Sequence, residues 1–201
     1  MQRLLTSFVT HLIFARRVRE EESETTDHPD LAALLLLWHR LCGAAPLPSE
    51  QELVPASFSP WIANLAIVDI EPRPLRARYR VVGSRLSHLA GRDLAGRYVD
   101  ELYADEIRAE AMAAYRQVVA ERAPHYSHRR FRFPFRGFGY HRLMLPFAGS
   151  QGMVDRVLVA IYPDTPFETA ADWQRYVDPE DLNRWLGYGP PRPNRRGPGR
   201  Q

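Results

Sequence analysis

Seven histidines and a single cysteine are the residues of this chain best suited to nucleophilic or metal chemistry. His39 and Cys42 stand three apart, a spacing that brings side chains together on a helix, as a thiol–imidazole nucleophile would require. Their neighbours over residues 31–41 are mostly apolar and include no acid to orient the imidazole, so a small buried thiol is the expected outcome. His125 and His128 fall in an alternating segment, where an offset of three sends side chains to opposite faces. His128 can meet His141 across a hairpin, but no acidic third ligand lies nearby in sequence, and no metal site is expected there. The lone cysteine excludes an internal disulfide and any multi-cysteine zinc or iron–sulfur centre. All 27 basic residues are arginine, which excludes a Schiff-base lysine and a P-loop. With no carboxylate pair and no Gly-x-Ser-x-Gly turn to suggest hydrolysis, no catalytic residue is assigned and the chain is not expected to be an enzyme.

The arginines are unevenly placed. Residues 190–201 hold four of them and no acid; without that tail 23 arginines face 24 acids, so the net charge of +3 belongs to the tail. Rich in Pro, Gly and Arg, the tail has almost nothing to bury and is expected to be disordered. A second basic stretch, residues 125–142, contains Arg129, Arg130, Arg132, Arg136 and Arg142 without an acid. Within it Arg136-Gly137-Phe138-Gly139-Tyr140 resembles the start of an RNA-recognition strand motif, in which aromatics stack on bases and the arginine meets phosphate. Residues 61–65 loosely resemble the partner strand. Against this, His141 stands where an aliphatic residue belongs and the two segments are far apart in sequence, so Gly137 and Gly139 are read as hairpin-turn residues. RNA binding through the 125–142 hairpin and the basic tail is the alternative function.

Residues 1–20 carry Leu4, Leu5, Phe8, Val9, Leu12 and Ile13 on one stripe, which predicts an amphipathic helix, with a linker to residue 28. A second helix is expected from about residue 29, with Pro29 in its first turn, to Gly43, followed by a Pro-rich extended connection to residue 60. Its apolar run, residues 31–38, is too short to span a bilayer. From residue 61 the period changes. Strands are expected over 65–71 and 77–83, joined by Pro72-Arg73-Pro74, then short helices over 84–90 and 99–103 and a long helix over 105–122. Three more strands follow, over 125–135, 140–147 and 153–162, with turns at 136–139 and 149–152. A short helical segment is expected over 165–189 before the tail. Strand runs at both ends of a helical middle argue for an α+β fold with one antiparallel sheet.

That order of elements resembles a PAS domain, in particular the short bacterial proteins built on one PAS domain behind an N-terminal helix. The residues that carry the resemblance are Leu36-Leu37-Trp38-His39-Arg40-Leu41, Leu47-Pro48-Ser49, the 65–71 segment, Arg78-Tyr79-Arg80-Val81-Val82-Gly83-Ser84-Arg85-Leu86 and Gly91-Arg92-Asp93-Leu94-Ala95-Gly96-Arg97. The resemblance implies a five-stranded antiparallel sheet with helices on one face, spanning residues 61–164. It implies a cytoplasmic sensory or signalling module that binds a small ligand or a regulatory protein partner and transmits the change through flanking helices or dimer contacts. The pocket candidates it implies are Tyr79, Val81, Leu86, Leu89, Tyr115, Val119, Phe131 and Leu143, side chains that could equally fill a dry core. A homodimer through the N-terminal helix is expected. No cofactor is identified. Cys42 lies upstream of the helical cluster that a flavin–thiol photosensor would need, and the long helix offers no histidine to a haem iron.

Overall fold

The computed structural model describes residues 18–22, 28–90, 93–102, 105–133 and 136–164. Its centre is one antiparallel sheet in the order β1-β4-β5-β6-β2-β3. The strands are β1 (Val18–Glu22), β2 (Leu65–Pro72), β3 (Leu75–Val82), β4 (His125–Phe133), β5 (Arg136–Ala148) and β6 (Val154–Pro163). The helices are α1 (Pro29–Cys42), α2 (Ser84–Leu89), α3 (Val99–Leu102) and α4 (Asp105–Glu121). β2 to β6 are the five strands expected from the sequence, with the early pair joined to the late three through β2 and β6. β6 is central, and Val157, Leu158, Val159 and Ala160 are buried on both of its faces, which is why it reads as an unbroken apolar run.

Strand register separates the two faces of the sheet. On one, Ser127 lies opposite Arg142, Arg129 opposite Tyr140, Met144 opposite Val159 and Val68 opposite Tyr79. α4 covers this face, crossing β3, β4 and β5 and pairing Glu110 with Arg129. On the other, His128 lies opposite His141, Tyr126 opposite Leu143, and Leu145 opposite Leu158. α1 packs there: His28, at its N-cap, touches the rings of His141 and Tyr162, and the Trp38 indole Nε1–H donates to the Pro146 carbonyl at 2.8 Å. α1 starts on Pro29, with Asp30 in its first turn, and stops at Gly43, whose φ of +56° suits a residue without a side chain.

Three expectations change. The helix expected over residues 1–20 gives way at its end to β1, which pairs with β4 and sets Glu20 opposite Arg129 and Glu21 opposite His128. Backbone pairing with β4 takes the place of the local helical period there; residues 1–17 lie outside the described residues. The 44–60 connection is folded rather than extended, with 3-10 turns at Glu50–Glu52 and Pro55–Phe58. Leu47, Pro48 and Phe58 anchor it in the core, and Ala148 N–H donates to the Pro48 carbonyl at 2.8 Å. Finally, the 136–139 turn is strand: Phe133 pairs with Arg136, so Gly137 and Gly139 lie inside β5 opposite Arg132 and Arg130. The 165–189 helix and the 190–201 tail lie outside the described residues.

Two local features shape the 83–97 segment. A Cβ on Gly83 would come within 2.3 Å of the Ile62 carbonyl oxygen and 2.5 Å of that of Ala63, so the chain enters α2 only without a side chain at this position. Asp93 accepts from the Ala95 N–H at 2.9 Å, and Gly96 takes a φ of +78°. The loop then runs along the outer edge of β3, where Gly96 N–H donates to the Tyr79 carbonyl and Tyr79 N–H to that of Arg97, covering backbone that would otherwise be exposed.

Candidate functional site

Tyr79 of β3, Leu86 of α2 and Tyr115 of α4 are buried in the hydrophobic core, with Val119 packed against it. The other pocket candidates divide. Val81 is half-exposed, because a bulge between Ile67 and Val68 shifts the β2–β3 register: Tyr79 pairs with Val68 but Val81 with Ile67. The extra residue reverses the alternation beyond Tyr79, and Val82 takes the inward position. Leu143 is fully buried, but two residues from His141 it shares the α1 face and not the face under α4. β5 is apolar on both sides here, so alternation carried no signal for its parity. The side chains of Leu89 and Phe131 lie outside the described residues.

The sequence reading missed the polar groups on the α4 face. His125, Ser127, Arg129 and Arg142 are all buried there, and Ser127 has no exposed surface at all. Arg142 Nε donates to Ser127 Oγ at 3.2 Å, Arg129 forms an ion pair with Glu110, and its Nη1 lies 3.5 Å from the Tyr140 hydroxyl. A guanidinium is withdrawn from water only where hydrogen bonds replace hydration, and its planar fork suits a carboxylate or phosphate. The i, i+2 spacing of His125, Ser127 and Arg129 was the available signal: it puts all three on one face of β4.

The α1 face holds a second polar group. The His128 and His141 rings stack with centroids 4.0 Å apart and planes 14° from parallel. Both turn Nε2 towards one carboxylate oxygen of Asp164, at 2.8 Å from His128 and 3.3 Å from His141. His141 Nδ1 shares a 2.6 Å hydrogen bond with the Tyr126 hydroxyl. Burial lowers the pKa of His28, against the opposing charge of Asp30, while burial and then Asp30 raise that of the Tyr162 phenol. Cys42 lies at the end of α1, where burial pushes its thiol up; this places it across the sheet from α4. His39 is exposed, with its ring edge-on to Trp38.

Comparison with solved structures finds similarity to an RNA-binding Light-Oxygen-Voltage receptor (12% identity, 73% of this chain and 38% of that one, TM-score 0.42). It also finds the light-state structure of the blue-light photoreceptor Aureochrome1 LOV (14%, 61% and 98%, 0.38). A third is a sensory box histidine kinase/response regulator from Burkholderia thailandensis E264 (18%, 64% and 96%, 0.34). This chain thus spans well under half of the RNA-binding receptor's length. No curated protein matches the sequence. Among the described residues, no helix is long and apolar enough to cross a membrane. A family described as the PAS domain matches residues 26–162, most of the chain and the paired sheet from β2 to all but the last residue of β6, and the protein belongs to the PAS domain family.

Proposed function

We propose that this protein is a sensory PAS module whose α4-covered sheet face receives a small molecule bearing an acidic group, and that the change passes through the flanking segments to a regulatory protein partner. PAS domains are in general sensory, non-catalytic modules, which agrees with the absence of hydrolytic signatures in the sequence. The observation that carries the ligand class is the buried row of Ser127, Arg129 and Arg142 on the sheet face beneath α4, the helix that carries the buried Tyr115 and also crosses β3, the strand of Tyr79. Guanidinium and hydroxyl donors fix an anionic group, while apolar and aromatic walls take up the rest of a ligand. Val81 and Leu143 are dropped from the candidate set; Tyr79, Leu86, Tyr115 and Val119 remain.

Thermal denaturation against a panel of small carboxylates and phosphates tests this. Saturation of a real ligand at about one hundred times its Kd adds roughly 2.7 kcal/mol of stability and raises Tm. The rise is expected in the wild type and absent in Arg142→Met. If no compound shifts Tm, and native mass spectrometry finds nothing co-purifying, the ligand reading is wrong. For the RNA alternative, Arg129 and Arg142 of the basic hairpin are buried away from any phosphate backbone, while the side chains of Arg130, Arg132 and Arg136 and the basic tail lie outside the described residues.

A further inference from the structure

We propose that His128, His141 and Asp164 form a binding site for one divalent transition-metal ion of the zinc class, on the sheet face opposite α4. Two imidazole nitrogens and a carboxylate oxygen are the donor set that such ions favour. One ligand atom from each residue can be chosen so that all lie within 4.8 Å of one another. In a tetrahedral zinc site with bonds of about 2.0–2.1 Å, neighbouring ligand atoms lie roughly 3.3 Å apart. The Nε2-to-carboxylate distances of 2.8 and 3.3 Å therefore need only slight expansion to admit the ion.

Three further features hold these ligands in place. The stacked imidazoles keep both Nε2 atoms next to the same carboxylate oxygen, at 2.8 and 3.3 Å. The Tyr126 hydroxyl engages the other ring nitrogen of His141, the kind of outer contact that orients a metal-bound histidine. Asp164 is placed by its own N–H, which donates to the Gly139 carbonyl at 2.9 Å. Its carboxylate occupies space that only glycine leaves: a Cβ on residue 139 would stand 2.3 Å from Asp164 Oδ2. Gly139 is thus a strand residue with a reason to lack a side chain that has nothing to do with a turn. His128 and His141 are largely buried, whereas Asp164 is about one-third exposed, which leaves the open side of the site to solvent. Asp164 is also the first residue beyond β6. An ion held there would tie the chain's exit from the sheet to the β4–β5 hairpin, linking metal occupancy to the position of whatever follows.

The test uses the full chain without an affinity tag. Titration with Zn²⁺ alone, followed by calorimetry, is expected to show one equivalent bound, and Co²⁺ alone is expected to give visible absorption bands from an ordered nitrogen–oxygen site. Asp164→Asn and His141→Phe, checked for retained fold by circular dichroism, should each weaken Zn²⁺ binding by at least about tenfold. Gly139→Ala should weaken it by displacing the carboxylate, while the exposed His39→Ala should bind as the wild type does. Absence of stoichiometric Zn²⁺ binding to the folded wild type overturns the proposal. So does an Asp164→Asn protein that binds Zn²⁺ with wild-type affinity.

Discussion

Ser127 and Arg142 face each other across β4 and β5, and their hydrogen bond is closed off from water. Removing the hydroxyl in Ser127→Ala takes an acceptor from a buried cation, which costs about 1.5–3 kcal/mol; urea denaturation should show the lower midpoint with an unchanged slope. Gly83→Ala should cost about 1–3 kcal/mol, because the new methyl meets two backbone carbonyls, and backbone cannot rotate aside as a side chain can. His28 gives a pH prediction. Its folded pKa is held below the ordinary 6.5 by burial, outweighing Asp30, while the rings of His141 and Tyr162 pack against it. The unfolded chain therefore takes up the proton first. The contribution is present in full above pH 6.5 and is lost as pH falls through the folded value. Tm should fall on acidification to pH 5, and less steeply in His28→Phe; equal slopes in the two proteins would contradict this assignment.

At the scale of elements, α1 is held by one indole and an apolar stripe. Leu31, Leu34 and Trp38 are its buried residues, at the spacing of one helical face. Trp38→Phe keeps most of the apolar surface but leaves the Pro146 carbonyl without its indole partner, at a cost of about 1–3 kcal/mol; Trp38→Ala should cost about 3–5 kcal/mol. Chemical denaturation followed by far-ultraviolet circular dichroism measures both. The limits of α1, β3 and α4 were legible because each carries its own punctuation: Pro29 and Gly43, Gly83 after β3, and Pro124 after α4. Strand parity was not. A bulge near Ile67 turned Val81 outward, and the apolar burial of both faces hid that Leu143 points to α1. The Gly137 and Gly139 pair read as a turn because the reason for a glycine at 139, the carboxylate of Asp164, is supplied from beyond β6.

At the scale of the whole molecule, the sheet joins chain segments far apart in sequence, and β1 extends it beyond the five strands of the family fold by covering the edge of β4. The expected dimer assigns the apolar stripe of residues 4–13 to a second copy of the chain. Removing residues 1–17, which leaves β1 in place, should convert that dimer to a monomer in light scattering while the rest of the domain keeps its cooperative thermal unfolding. An unchanged mass would rule out this mode of pairing.

Periodicity, caps and turn residues by themselves determined α1 and the type and order of the elements from residue 65 to residue 163, because each depends on neighbours a few positions away. The absence of lysine and the single cysteine likewise set firm chemical limits without any coordinates. Only the tertiary structure decided which faces of β4 and β5 meet which helix, buried Arg129 and Arg142 side by side, and carried Asp164 to the two histidines. Those outcomes depend on register and crossing between distant strands. A shift of one residue reverses every side chain of a strand, and local sequence pattern does not encode it where both faces are covered.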